Sequence, residues 1–129
     1  MLLRRLLRDP GFRREFPRVV VGIVAALRRT VRQGWDVLMR NARVQAENYA
    51  RALPESHGWP PFILVVDVGH AIELFADFSG QGKNYRQFPD RRGFRVYLDE
   101  LHDADVRARL RAVWLDPHAL DPAKRSARV

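Results

Sequence analysis

Phe62-Ile63-Leu64-Val65-Val66-Asp67-Val68-Gly69-His70-Ala71-Ile72-Glu73-Leu74-Phe75-Ala76 is the stretch whose reading decides the fold. Five apolar residues run unbroken from Phe62 to Val66, and Ile63, Val65 and Val66 are β-branched. A strand covered on both faces reads this way, because polar alternation is expected only where one face meets water. Pro60-Pro61 punctuates its start, and Asp67-Val68-Gly69-His70 has the composition of a turn. Residues 71–76 then return as a second strand antiparallel to the first.

Upstream, Trp35, Leu38, Met39, Ala42, Ala46, Tyr49, Ala50 and Leu53 form one apolar stripe at helical spacing. The spacing predicts a helix over 35–53, preceded by Gly34 and stopped by Pro54. Arg40, Asn41, Glu47 and Arg51 fall on its far face, and Gln45 is expected on or beside the buried stripe. Downstream, Ser79-Gly80-Gln81-Gly82-Lys83-Asn84 reads as a polar loop, and Phe94, Val96 and Leu98 alternate as a shorter, more exposed strand. Asp103 is placed to cap a helix carrying Val106, Leu110, Val113 and Trp114, which Asp116-Pro117 ends. Asp121-Pro122 has the form of a new cap, so residues 117–129 read as the start of a truncated helix.

The chain has 129 residues, enough for one domain with a real core. It has no cysteine, which excludes disulfides, thiolate metal sites and a cysteine nucleophile and fits a cytoplasmic protein. The net charge of +8 is concentrated in residues 1–40, which carry +7, whereas residues 41–129 carry +1. Arginine supplies 21 of the 23 basic residues and suits phosphate contact through its planar fork. The Val19–Leu27 apolar run is too short to span a bilayer, and Arg28-Arg29 stand where a leader would need a cleavage site, so it reads as a buried strand or short helix.

Catalytic patterns are scarce. No nucleotide-binding glycine loop and no nucleophile elbow occur, and Gly80-Gln81-Gly82-Lys83 lacks phosphate-loop spacing. His57, His70, His102 and His118 are scattered, with no i, i+4 pair to bind a metal. A magnesium nuclease needs clustered carboxylates and a lysine, yet no Asp/Glu-x-Lys is present. Asp67 and Glu73 flank the hairpin, where the two could approach each other as a carboxylate pair; the preferred reading is a turn aspartate and a solvent-facing strand glutamate.

Gln45-Ala46-Glu47-Asn48-Tyr49, on a helix that feeds a buried strand, resembles the Gln-x-x-x-Tyr motif of PD-(D/E)XK nucleases. Around it, Gly34-Trp35-Asp36, Pro60-Pro61-Phe62 through His70, Ile72-Glu73-Leu74, Gly82-Lys83-Asn84-Tyr85, Phe88-Pro89-Asp90, Trp114, Asp116-Pro117 and Leu120-Asp121-Pro122 resemble the N-terminal region of MmeI-like enzymes. These are bacterial type II restriction-modification proteins, identified as class I S-adenosylmethionine-dependent DNA methyltransferases. The resemblance covers residues 31–129.

It implies a partial restriction-endonuclease-like α/β fold, a long helix on a small mixed sheet with C-terminal helices. Residues 1–30 are an atypical basic segment, 31–116 the later part of a nuclease-like domain, and 117–129 the next helix. The family's Asp and Glu-x-Lys site would lie upstream of Trp35, where this chain has its basic Leu/Val segment, which points to a broken or misread frame. Mg²⁺ and S-adenosylmethionine belong to the parent enzyme, with no cofactor or metal expected in this chain. Gln45 and Tyr49 are then vestigial motif residues, and no catalytic residue is assigned. The candidate nucleic-acid contacts are Arg40, Arg43, Lys83 and Arg86. The expected function is an inactive fragment of a DNA methyltransferase/endonuclease, partnered by DNA and a neighbouring methyltransferase chain, with no membrane. The alternative is a basic nucleic-acid-binding module or a subunit of a split enzyme.

Overall fold

A computed structural model describes residues 19–24, 32–54, 56, 58–82 and 84–126. Its elements are β1 (Val19–Val24), α1 (Arg32–Arg51), β2 (Phe62–Asp67), β3 (Ala71–Ala76), β4 (Arg86–Gln87), β5 (Arg95–Tyr97), α2 (Ala104–Leu115) and α3 (Pro122–Ser126). Short 3₁₀ turns at Leu98–His102 and Pro117–Leu120 bracket α2.

The five strands form one sheet in the order β1-β2-β3-β4, with β5 also paired to β3. β1 runs parallel to β2, from Val19 opposite Phe62 to Val24 opposite Asp67. The β1–α1–β2 segment is therefore a crossover unit, which parallel strands require. β2 and β3 are antiparallel, with Phe62 opposite Ala76 and Asp67 opposite Ala71. β4 and β5 share the outer edge of β3, β4 against Phe75 and Ala76, β5 against Ala71, Ile72 and Glu73.

Both faces of the sheet are covered, as the unbroken Phe62–Val66 run predicts. Ile63, Val65 and Phe75 face α1 and pack with Met39, Ala46, Ala50 and Tyr85, flanked by Trp35, Ala42, Tyr49 and Leu53. Phe62, Leu74, Ala76 and Val96 face the other way and pack with Phe88, Val113 and Leu120, flanked by Val106 and Leu110. The period-2 alternation of β2 and β3 thus feeds two cores rather than one core and solvent. Asp103 caps α2, its Oδ1 accepting from the Asp105 N–H at 2.8 Å, and Asp121 does the same for Ala123 at 3.0 Å.

Two expectations change in detail, and one strand goes unforeseen. Gln45 is exposed, at the border of the stripe rather than within it. At 100° per residue it lies 100° round the helix from Ala46, the centre of the buried face. Phe94 joins the α1-side cluster whereas Val96 joins the α2-side one, and Leu98 begins a 3₁₀ turn with over half of it exposed. The expected exposed alternation is limited to the three residues of β5. β4, only two residues long, has no periodic signature to find.

Candidate functional site

At the α1-facing end of the β2–β3 hairpin two carboxylates are buried: Asp67 is 1% exposed and Glu73 4%. The expectation of a turn aspartate and a solvent-facing glutamate is corrected here. No face of β3 meets water, and Glu73 shares the α1 side with Val65, its partner across the ladder. Burying ionised groups is costly unless they are paired, and each has a dedicated donor from another element. Trp35, in the first turns of α1, gives its indole Nε1–H to Asp67 Oδ2 at 2.8 Å. Asp67 Oδ1 is buried with no hydrogen-bond partner. Arg95, opposite Glu73 on β5, donates from Nε to Glu73 Oε2 at 2.7 Å, with Nη2 at the same distance.

The Arg95 guanidinium ties the corner together. It lies 4.8 Å from the Trp35 ring and 5.4 Å from the Phe94 ring, and 3.7 Å from the exposed Asp36 carboxylate. Burial is the largest single influence and works against its charge, but the hydrogen bonds to Glu73 and Tyr97 and the attraction of both groups together outweigh it, and the net shift of its pKa is upward. His70 stands edge-on to Trp35 at 5.1 Å and to Tyr97 at 5.7 Å. Arg95 was invisible as a functional residue in the sequence. Its signal is positional only, lying on the strand that pairs with Glu73.

A second cluster surrounds the glycine loop. The buried Asp77 carboxylate accepts from Ser79 N at 2.9 Å, Ser79 Oγ at 2.5 Å and Asn84 N at 3.1 Å. Gly82 has φ +63°, and a Cβ there would overlap the Trp59 side chain. The glycine at 82 therefore serves close packing on Trp59, in keeping with the absence of phosphate-loop spacing. Tyr85 is buried and donates its hydroxyl to Pro60 O at 2.6 Å. Burial, helped by Asp77, pushes its phenol pKa well up from the ordinary 10.0.

The candidate cations are only partly brought together. Arg43 Nη2 donates to Tyr85 O at 2.6 Å, its Nε to Glu47 Oε1 at 3.0 Å, and its guanidinium lies 4.1 Å over the Phe75 ring. It is a packing residue as much as a surface charge. Arg86 follows Tyr85 and is exposed, with the Asn84 side-chain oxygen, turned toward it, accepting at 3.1 Å. Arg40 is exposed on α1, and Lys83 lies outside the described residues. Arg51, noted in the sequence only as a far-face charge, joins this group by donating to Gly82 O at 3.4 Å and lying 3.6 Å from Glu47. Tyr49 is half-buried against the α1-side core. Among the described residues no three His, Asp or Glu side chains converge to hold a metal ion, and no helix is long and apolar enough to cross a membrane.

Residues 11–127 match the family model for the MmeI N-terminal domain. The matched span takes in residues 11–30, upstream of the resemblance read from residue 31, and so includes β1. No curated protein and no solved structure matches the chain.

Proposed function

The chain belongs to the MmeI N-terminal domain family, and we propose that it is a nuclease-like region of a DNA restriction-modification enzyme that does not cleave DNA by itself. The family match over residues 11–127 carries the reading. A helix bearing Gln45 and Tyr49 that feeds the buried strand β2 supports a PD-(D/E)XK-like core. In the parent enzyme Mg²⁺ would serve cleavage and S-adenosylmethionine base methylation.

The residues present do not fit a hydrolytic Mg²⁺ centre. Such a centre needs carboxylate oxygens free to coordinate, with a lysine to steady the attacking water. Glu73 is held by Arg95, Asp67 offers one free oxygen, and the sequence has no Asp/Glu-x-Lys. Incubation of the purified chain with supercoiled DNA and Mg²⁺ should give no nicking above the level of Gln45→Ala. Metal-dependent cleavage abolished by that substitution would overturn the reading.

The charge of +7 on residues 1–40 favours a second, compatible role, gripping DNA through its phosphates without reading sequence. Arg40 and Arg86 are the better contacts of the proposed set, since Arg43 is committed to Tyr85 and Glu47.

A further inference from the structure

Residues 96–106 carry four carboxylates, Asp99, Glu100, Asp103 and Asp105, and neither Lys nor Arg, in a chain of net charge +8. None of the four enters an ion pair among the described residues. The cations that bound this segment are engaged elsewhere. Arg95 is held by Glu73 and reaches the Tyr97 side chain from the sheet side without meeting any of the four, and Arg107 Nη1 donates to the Leu101 and His102 carbonyls at 2.8 and 2.9 Å. Glu100 Oε2 accepts from the Tyr97 N–H at 2.7 Å and Asp103 caps α2, but Asp99 has no donor among the described residues.

Beside this uncompensated charge lies an open cavity of about 640 Å³ lined by Gly69, His70, Tyr97, Leu98, Asp99 and His102. Tyr97 and Leu98 are 40% and 55% exposed there. The Leu98 N–H donates to His70 O at 3.1 Å, which fixes the Tyr97–His102 turn against the hairpin tip. The cavity therefore combines an aromatic ring, an apolar surface and a free carboxylate on a firm backbone.

We propose that this cavity takes the guanidinium of an arginine side chain on a basic segment of a protein partner. The Tyr97 ring attracts a cation through its quadrupole, and a planar guanidinium stacks on it better than a hydrated ammonium does. Asp99 supplies a carboxylate for a forked, charge-assisted hydrogen bond. Leu98 covers the arginine's methylene stem. The four unpaired carboxylates raise the local concentration of cations and disfavour phosphate-bearing ligands. The inference concerns residues other than Arg40 and Arg86, and it stands or falls independently of the DNA reading.

The test is an NMR titration of the full chain with a short, otherwise neutral peptide carrying one arginine, against the same peptide with citrulline, and with deoxyadenosine monophosphate. The arginine peptide should shift the ring signals of Tyr97, His70 and His102 saturably. Citrulline should weaken binding at least fivefold. Asp99→Asn and Tyr97→Ala should each weaken it about two- to fivefold, with Tyr97→Phe close to the parent chain and the fold unchanged by circular dichroism. Equal binding of the citrulline peptide, absence of saturable shifts, shifts mapping to another face, or tighter binding of the nucleotide would each overturn the proposal.

Discussion

Removing the Trp35 indole N–H would leave the Asp67 carboxylate buried with neither oxygen hydrogen-bonded. A buried charged acceptor stripped of its donor costs about 2 kcal/mol or more, so Trp35→Phe should destabilise by that order in urea unfolding. Arg95→Met should be worse, about 3 kcal/mol, because it abandons Glu73 inside the protein without its cation. The double change Glu73→Leu with Arg95→Met should recover much of the loss, and failure to recover would contradict the pairing as the source of the cost. Tyr85 adds a pH dependence. Its folded phenol titrates above the ordinary 10.0, so folding resists its ionisation. That stability is fully present below pH 10 and is lost as pH rises beyond it. The unfolding free energy should fall on raising the pH above 10, and Tyr85→Phe should flatten that decline.

At the scale of elements, the long helix, the hairpin and the capped C-terminal helix were legible because each carries a period or a cap in consecutive residues. Seven of the eight stripe positions, Trp35 to Ala50, return on the face of α1 that packs on the sheet or beside it, and Leu53 joins the same cluster from just beyond the helix, which ends at Arg51 rather than at 53. β4 and the partnership of β5 with β3 were not legible, since pairing of short strands is set by distant neighbours. The burial of Asp67 and Glu73 was missed for the same reason: the donors that make it tolerable lie 32 residues upstream and 22 residues downstream. The glycine loop provides a contrast that sequence alone would not rank. Gly82→Ala meets both a positive φ and Trp59, whereas Gly80→Ala, also at positive φ, meets nothing within 4 Å. Gly80→Ala should cost about 1 kcal/mol from backbone strain. Gly82→Ala should cost clearly more, because the indole must move, and equal effects in thermal melts would contradict the packing role.

For the whole molecule, charge and fold are unevenly matched. The +7 of residues 1–40 sits upstream and along α1, while the unpaired carboxylates of 96–106 gather at the opposite end of β5 from Phe94. DNA binding by the full chain should therefore fall steeply with salt. Arg40→Ala with Arg86→Ala should lower the slope of log K against log salt by about two, one for each phosphate no longer neutralised. An unchanged slope would remove both residues from the interface. The inert-nuclease account depends on a different property, the inability of the buried carboxylates to assemble a metal centre. The most direct measurement is a titration of isotopically labelled, Mg²⁺-free protein with Mn²⁺, read by paramagnetic broadening. The account predicts no selective broadening at Asp67, Glu73 or the first turns of α1. Saturable broadening centred on Asp67 and Glu73 would contradict it.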